Sequence, residues 1–205
     1  MKCPYPPHGS HMPALLLTIA AFRAESIIEF GAGDCSTRVL RHFARFGAMC
    51  ASVEDDPNWT PVEQENLRHY TWSEFWCEMD QSLAAVRSMN LELNNIVVLV
   101  DCVANRRADA IRRSAGFATA IVVHDTEAQH EHVYGSRAAL KESFGMWAHV
   151  TCPWTGIRTT IAWHGTVPDA ATRTMLAGVR NLNGEEARKF HSGSCDILDR
   201  QEGVS

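Results

Sequence analysis

Short apolar runs alternate with stretches of helical period along most of the chain. Ser26–Phe30, Ala48–Val53, Asn95–Asp101 and Ala118–Val123 are compact runs rich in Ile and Val, the signature of buried strands. Thr37–Phe46 carries Val39, Leu40, Phe43 and Phe46 at helical spacing, and Gly47 stops it. Arg106–Ala115 alternates charge with Ala and Ile, and Arg137–Phe144 is also helical in pattern. Upstream, Pro13–Arg23 opens on a proline, a favoured first helical residue. Ala148–Cys152 and Thr159–Trp163 flank Pro153-Trp154-Thr155-Gly156 and predict a closing antiparallel pair. Between Asn58 and Asn95 the pattern is less regular. Pro61–His69 and Ser82–Met89 have helical spacing, whereas Tyr70, Trp72, Phe75 and Trp76 follow no clean period. After Trp163, Asp169 caps an expected helix to about Val179, and the last twenty residues are a polar, mobile tail.

Strands alternating with helices predict an α/β fold: a mainly parallel, doubly wound sheet with an antiparallel closing strand, in three α/β/α layers. Residues 1–165 form the domain, and 166–205 the C-terminal helix and tail. Ligands of such sheets lie beyond the carboxyl ends of the strands. Four strands here end in an acid or a glycine turn, at Glu29-Phe30-Gly31, Glu54, Asp101 and His124-Asp125. That repeated placement marks the rim of a site.

The 205 residues carry 19 Lys+Arg against 24 Asp+Glu, a net charge of −5, which argues against a nucleic-acid surface. No apolar run is long enough for a membrane span. The seven cysteines are scattered without a CxxC pair, which fits reduced thiols and a cytoplasmic location. Residues 1–13 are rich in Pro and Gly and lack the apolar core of a signal peptide. Within them, Gly9-Ser10-His11-Met12 is either native or the remnant of a cleaved tag.

Gly31-Ala32-Gly33-Asp34-Cys35-Ser36 is a Gly-x-Gly-x-x-Ser turn between a strand and a helix. The first glycine permits a tight turn, the second lets a ligand approach the backbone, and helix N-terminal amides face the same space. Glu54 follows Gly33 by 21 residues, at the end of the next strand, where a carboxylate can hold two ribose hydroxyls. A dinucleotide would place its pyrophosphate on the turn; S-adenosylmethionine would place its methionine portion there. Glu29 favours the second, since a carboxylate repels pyrophosphate and suits a cationic group. Ser36 in place of a third glycine points the same way.

At these residues the chain resembles class I S-adenosylmethionine-dependent methyltransferases. Glu29-Phe-Gly-Ala-Gly33 resembles their first motif, and Ser52-Val-Glu-Asp-Asp-Pro-Asn-Trp59 the acidic loop after it. Gly9-Ser10-His11, Glu29 to Thr37, Val53 to Trp59 and His124-Asp125-Thr126 together resemble a poorly characterised subgroup, over about residues 9–164. The resemblance implies a Rossmann-like fold, S-adenosyl-L-methionine as cofactor and a small-molecule methyl acceptor. It implies cofactor contacts from Ser10, His11, Glu29, Gly31, Ala32, Gly33, Ser36, Thr37, Glu54, Asp55 and Asp101. No nucleic-acid or membrane partner is expected. Two alternatives stay open: a nicotinamide-dependent oxidoreductase, and a non-catalytic protein that only binds the cofactor.

Methyl transfer needs alignment and sometimes a base. His124 and Asp125 are the catalytic candidates, with His124 titrating near neutrality. Asp101 and Asp125 end adjacent strands, so magnesium between them, with Thr126 or Glu127 as third ligand, is a lesser reading; no metal is expected. Arg106 and Arg107 are either an anchor for an acidic substrate or surface charges. His130-Glu131-His132 lacks metal-ligand spacing and is expected to be a solvated loop, with Tyr134 and Gly135 placed to close it over substrate. Trp59, Trp72, Trp76 and Trp154 are expected mainly in packing.

Overall fold

A computed structural model of the chain describes residues 10–33, 35–59, 66–88, 95–151, 157–164 and 197–200. Helix α1 (Met12–Ala21) leads into β1 (Ser26–Phe30), α2 (Ser36–Arg45) and β2 (Met49–Val53). Then follow β3 (Leu67–Tyr70), α3 (Trp72–Ser88), β4 (Ile96–Val100), α4 (Ala104–Ser114) and β5 (Ala120–Val123). A short 3-10 turn precedes α5 (Glu131–Tyr134), α6 (Ser136–Ser143), β6 (Met146–Thr151) and β7 (Arg158–Trp163). The strands form one sheet in the order β3-β2-β1-β4-β5-β7-β6, extended by β8 (Ile197–Arg200) at the β6 edge. The first five are mutually parallel, and β7 runs antiparallel to both β5 and β6. The expected mainly parallel sheet with an antiparallel closing strand is therefore present.

Residues alternate between the two faces of each strand, so each face builds its own core. Ile27, Val97, Leu99, Ala120 and Val122 meet Leu15 and Ile19 of α1 and Leu40 and Ala44 of α2. Ile28, Phe30, Val98, Val100, Ile121 and Val123 meet Phe75 and Trp76 of α3, Ala110 and Ile111 of α4, and Ala139 and Leu140 of α6. These are the three expected layers.

The irregular stretch resolves differently from its pattern. Leu67–Tyr70, the end of the expected Pro61–His69 helix, is an edge strand parallel to β2; residues 60–65 lie outside the described residues. Only Leu67 of that strand is fully buried, so little hydrophobic alternation marks it. Its last residue, Tyr70, had masked the period that follows. Trp72, Phe75, Trp76, Met79 and Leu83 fall at i, i+3, i+4, i+7 and i+11 on α3 and pack into one core. Thr71 and Glu74 form a capping box at its start: Thr71 N and Oγ1 both donate to Glu74 Oε2, at 2.9 and 2.6 Å. In the polar tail, Ile197–Arg200 is a strand antiparallel to β6, while the Asp169–Val179 segment lies outside the described residues.

The register aligns the strand ends. Phe30 is level with Val53 on one side and Val100 on the other, and Val100 is level with Val123. Gly31, Glu54, Asp101 and His124 each lie one residue beyond that line. All four amides continue the ladder: Gly31 N–H to Val53 O at 3.0 Å, Glu54 N–H to Tyr70 O at 3.0 Å, Asp101 N–H to Phe30 O at 2.9 Å, and His124 N–H to Val100 O at 3.1 Å. Gly31 has φ +93°, and a Cβ there would lie 2.5 Å from Asp101 O and 2.7 Å from Cys102 Cα. Gly33 differs, because a Cβ there would meet only Ser36 Oγ, at 3.7 Å. Gly31→Ala should thus cost about 2–4 kcal/mol in urea unfolding, from left-handed strain plus a backbone clash. Gly33→Ala should leave the unfolding midpoint nearly unchanged. Equal midpoints for the two variants would refute this division of roles.

Candidate active site

Two groups of side chains lie along the aligned strand ends. The first surrounds the glycine turn. Glu29 is wholly buried behind it, and its Oε1 accepts from Thr37 Oγ1 at 2.6 Å and Ser52 Oγ at 2.7 Å. Thr37 Oγ1 in turn accepts from Gly33 N–H at 3.2 Å, so the carboxyl is tied to the turn through one hydroxyl. Glu29 Oε2 is buried without a hydrogen-bond partner among the described residues. Burial pushes the Glu29 carboxyl up to about 7, against the pull of Ser52, Thr37 and Ser36. Ser36 and Thr37, both buried, open α2, and Ala32 and Gly33 are half-buried on the turn. Sequence reasoning set Glu29 facing the ligand; it stands instead behind the turn as its buried brace.

Glu54 is half-buried at the end of β2. Its Oε1 accepts the amides of Asp55 and Asp56, at 2.8 and 2.9 Å. Its Oε2 takes no hydrogen bond among the described residues. Asp55 turns away from Glu54: Oδ1 accepts Trp72 N–H at 2.7 Å and Oδ2 pairs with Arg106, whose guanidinium lies 5.1 Å from the Trp72 ring centre. The backbone bond from Trp72, with the Arg106 pair, holds the Asp55 carboxyl below its usual range. Trp72 and Trp76 pack around Phe30, Trp59 is exposed, and Trp154 lies outside the described residues.

The second group gathers at the ends of β4 and β5. Asp101 Oδ1 accepts from Arg107 at 3.0 Å and meets His124 Nδ1 at 3.1 Å. His124 Nε2 meets Ser10 Oγ at 2.7 Å. His11 Nδ1 is 3.7 Å from Asp101 Oδ2, and its ring stands edge-on to that of His124, centres 4.8 Å apart. Asp125, at φ +54°, brings Oδ1 to 3.6 Å from His124 Nε2 and Oδ2 to 3.8 Å from Arg107. Ser10, His11 and Met12 are 6%, 2% and 5% exposed, so these three residues are built into the molecule rather than appended to it.

Charge sorts the two imidazoles. Burial pulls His124 down, yet the bond to Asp101 and the charges of Asp101 and Asp125 leave it above its usual value. Burial, opposed by Asp101, drops His11 to about 4. Burial raises Asp101, but His124, His11 and Arg107 together hold it below the usual carboxylate range.

Arg107 is the functional residue that pattern reading left undecided. It is 4% exposed and donates Nε–H to Cys102 O at 2.9 Å, one terminal nitrogen to His124 O at 2.7 Å and the other to Asp101. The Tyr134 ring covers it, 4.2 Å away, instead of closing over a substrate. Its burial was legible: Arg107, Ala110, Ile111 and Ser114 form an i, i+3, i+4, i+7 stripe on α4. Arg107 also fills the gap where magnesium would bridge Asp101 and Asp125. Thr126 bonds Thr160 and Arg158 O, and Glu127 Oε1 accepts Arg158 N–H. The His130–His132 segment serves the fold: Glu131 caps α6 by accepting the amides of Arg137 and Ala138.

Two of the buried groups with large shifts, Glu29 and His11, give opposite pH trends. Below about 4.5 Glu29 is neutral in both states and adds its full share of stability. Between about 4.5 and about 7 the unfolded chain ionises it first, so stability falls as pH rises. His11 works the other way: its share is present above 6.5 and is lost as pH falls toward about 4. Comparison with Glu29→Gln isolates the first effect. Thermal unfolding should show the wild type losing stability relative to that variant across Glu29's window; parallel curves would contradict the buried acid.

No protein-family model matches the chain, and no curated protein matches it in sequence. Solved structures do match in shape. Human methyltransferase-like protein 13, in complex with S-adenosylhomocysteine, superposes with a TM-score of 0.60 at 13% identity, over 87% of this chain and 92% of that one. An O-methyltransferase from Bacillus cereus, in complex with the same molecule, gives 0.51 at 13% identity, over 78% and 82%. Identities this low speak for architecture alone: the chain has the class I S-adenosylmethionine-dependent methyltransferase fold.

Proposed function

We propose that the chain transfers a methyl group from S-adenosyl-L-methionine to a hydroxyl or amine of a small molecule. The observation that carries this is the union, on one line of strand ends, of an unpartnered Glu54 oxygen, open space over Gly33, and a His124–Asp101 pair. Glu54 Oε2 suits the ribose hydroxyls, and its partner oxygen is already fixed by two amides. The turn from Gly31 to Gly33, with the start of α2, suits the methionine end. Val103, exposed just past Asp101, offers apolar surface to the adenine. The bound cofactor supplies the electrophilic methyl.

The chain's own residues then align the acceptor and hold its proton. Asp101 fixes the His124 ring through Nδ1, which leaves Nε2 to accept a proton from the acceptor; the Ser10 hydroxyl holds that position now. Asp125 stands beside the same nitrogen and stabilises the imidazolium that forms. The net negative charge supports a small acceptor in place of a nucleic acid. Sheet-end carboxylates of this kind also occur where nicotinamide dinucleotides bind, so calorimetric titration with S-adenosylmethionine, S-adenosylhomocysteine and NAD is the deciding experiment. Binding of NAD alone would overturn the proposal.

Within that titration, Glu54→Ala should weaken S-adenosylhomocysteine by about 2 kcal/mol, the loss of a charge-assisted pair of bonds. Glu54→Gln keeps an acceptor for the loop amides and should lose less. An unchanged dissociation constant for Glu54→Ala would remove the residue from the site. For the acceptor half, NMR titration should find His124 protonating above 6.5 and His11 near 4. Asp101→Asn should move the His124 midpoint down, and an unmoved midpoint would break the proposed pair.

A further inference from the structure

His11 poses an unsolved problem of polar burial. Its side chain is 2% exposed, and neither ring nitrogen has a hydrogen-bond partner among the described residues. A buried polar atom left unsatisfied bears its full desolvation penalty. Asp101 Oδ2 stands 3.7 Å from Nδ1, too far for a hydrogen bond. That separation fits something else. Two ligands at about 2.1 Å from one ion, at a tetrahedral angle, lie roughly 3.4 Å apart.

We infer that His11, Asp101 and His124 form a binding site for a divalent transition-metal ion of the zinc class. One ligand atom from each lies within 4.8 Å of the others, so a pair at that limit must close by roughly 1.4 Å to share an ion at the tetrahedral angle. Two imidazoles and one carboxylate select zinc, cobalt or iron over magnesium, which takes oxygen ligands. The supporting shell is in place. Arg107 holds Asp101 by Oδ1, which leaves Oδ2 for the ion, and the Asp101 and Asp125 carboxylates outweigh the single Arg107 charge. His124 gives up one of its present partners, Asp101 Oδ1 or Ser10 Oγ, to join. The lone pair it would lend is one that a proton also uses, so ion and proton compete for this imidazole. The site shares Asp101 and His124 with the acceptor half of the proposed reaction, where a bound ion would take the place of the proton on His124; it is independent of the cofactor half and stands whether or not cofactor binding holds.

The full chain, stripped of metal with chelator, should be titrated with Zn²⁺ against a chromophoric competitor, and with Co²⁺ by visible absorption. One tightly held equivalent per chain is expected, with a cobalt spectrum of low-coordinate nitrogen and oxygen ligation. His11→Gln and Asp101→Asn should each lose that equivalent; Cys77→Ser and His132→Ala, at exposed positions, should keep it. A second measurement needs no variant: Zn²⁺ should shift the ring resonances of both His11 and His124 in the wild-type protein. No tight equivalent, an equivalent retained by His11→Gln, or unmoved His11 and His124 resonances would each overturn the site. Titration with S-adenosylhomocysteine on the same samples reads the cofactor half separately. Its failure would strike the methyltransferase proposal and leave the metal result intact.

Discussion

The Arg107 guanidinium is the interaction on which the rest of the strand-end architecture depends. A buried cation survives only when every face of it is answered. Here two main-chain carbonyls, the hydrogen-bonded Asp101 carboxylate, the more distant Asp125 carboxylate and an aromatic ring do so. Because those carbonyls belong to Cys102 and His124, the same side chain pins the exits of β4 and β5 together. Because the hydrogen-bonded carboxylate is Asp101, it also fixes the group that orients His124 and faces His11. Removing it would leave the Asp101 carboxylate buried beside two imidazoles without its cationic partner.

The site divides into halves with different physics. Around the turn, the chain contributes backbone, hydroxyls and one buried acid, a rigid cradle in which Glu29 braces Thr37 and Ser52. Around His124, it contributes titratable groups whose charge states are set by one another. The first half is suited to holding a ligand in one pose, the second to moving a proton or holding a cation. Phe30, stacked on Trp76 and edge-on to Phe75, lies under the first half and ties its turn to α3.

Much of this was legible because strand ends are punctuated. Glu54, Asp101 and His124 announce themselves at the close of apolar runs, and register then carries them to one line. Three features were less accessible, each for its own reason. Leu67–Tyr70 is an edge strand with one buried residue, too little alternation to stand out. Tyr70 sat next to the aromatic period of α3 and blurred it. Arg107 carries a charge that pulls any reader toward solvent, although the stripe to Ala110, Ile111 and Ser114 put it on the inner face. Pairing Ser10 and His11 with His124 needs the fold itself, since 114 residues separate Ser10 from its partner.

That last contact fixes where the chain enters the molecule. Ser10 touches the imidazole at the heart of the acceptor half, and α1 departs from there across the sheet. The peptide bond that joins Ser10 to whatever precedes it therefore lies beside the site. An affinity handle at that end would be tethered within reach of His124, and a histidine-rich one would bring rival imidazoles to the same doorstep. Handles joined at the opposite end of the chain carry no such tether to Ser10, so the choice of terminus shapes what the isolated protein can bind.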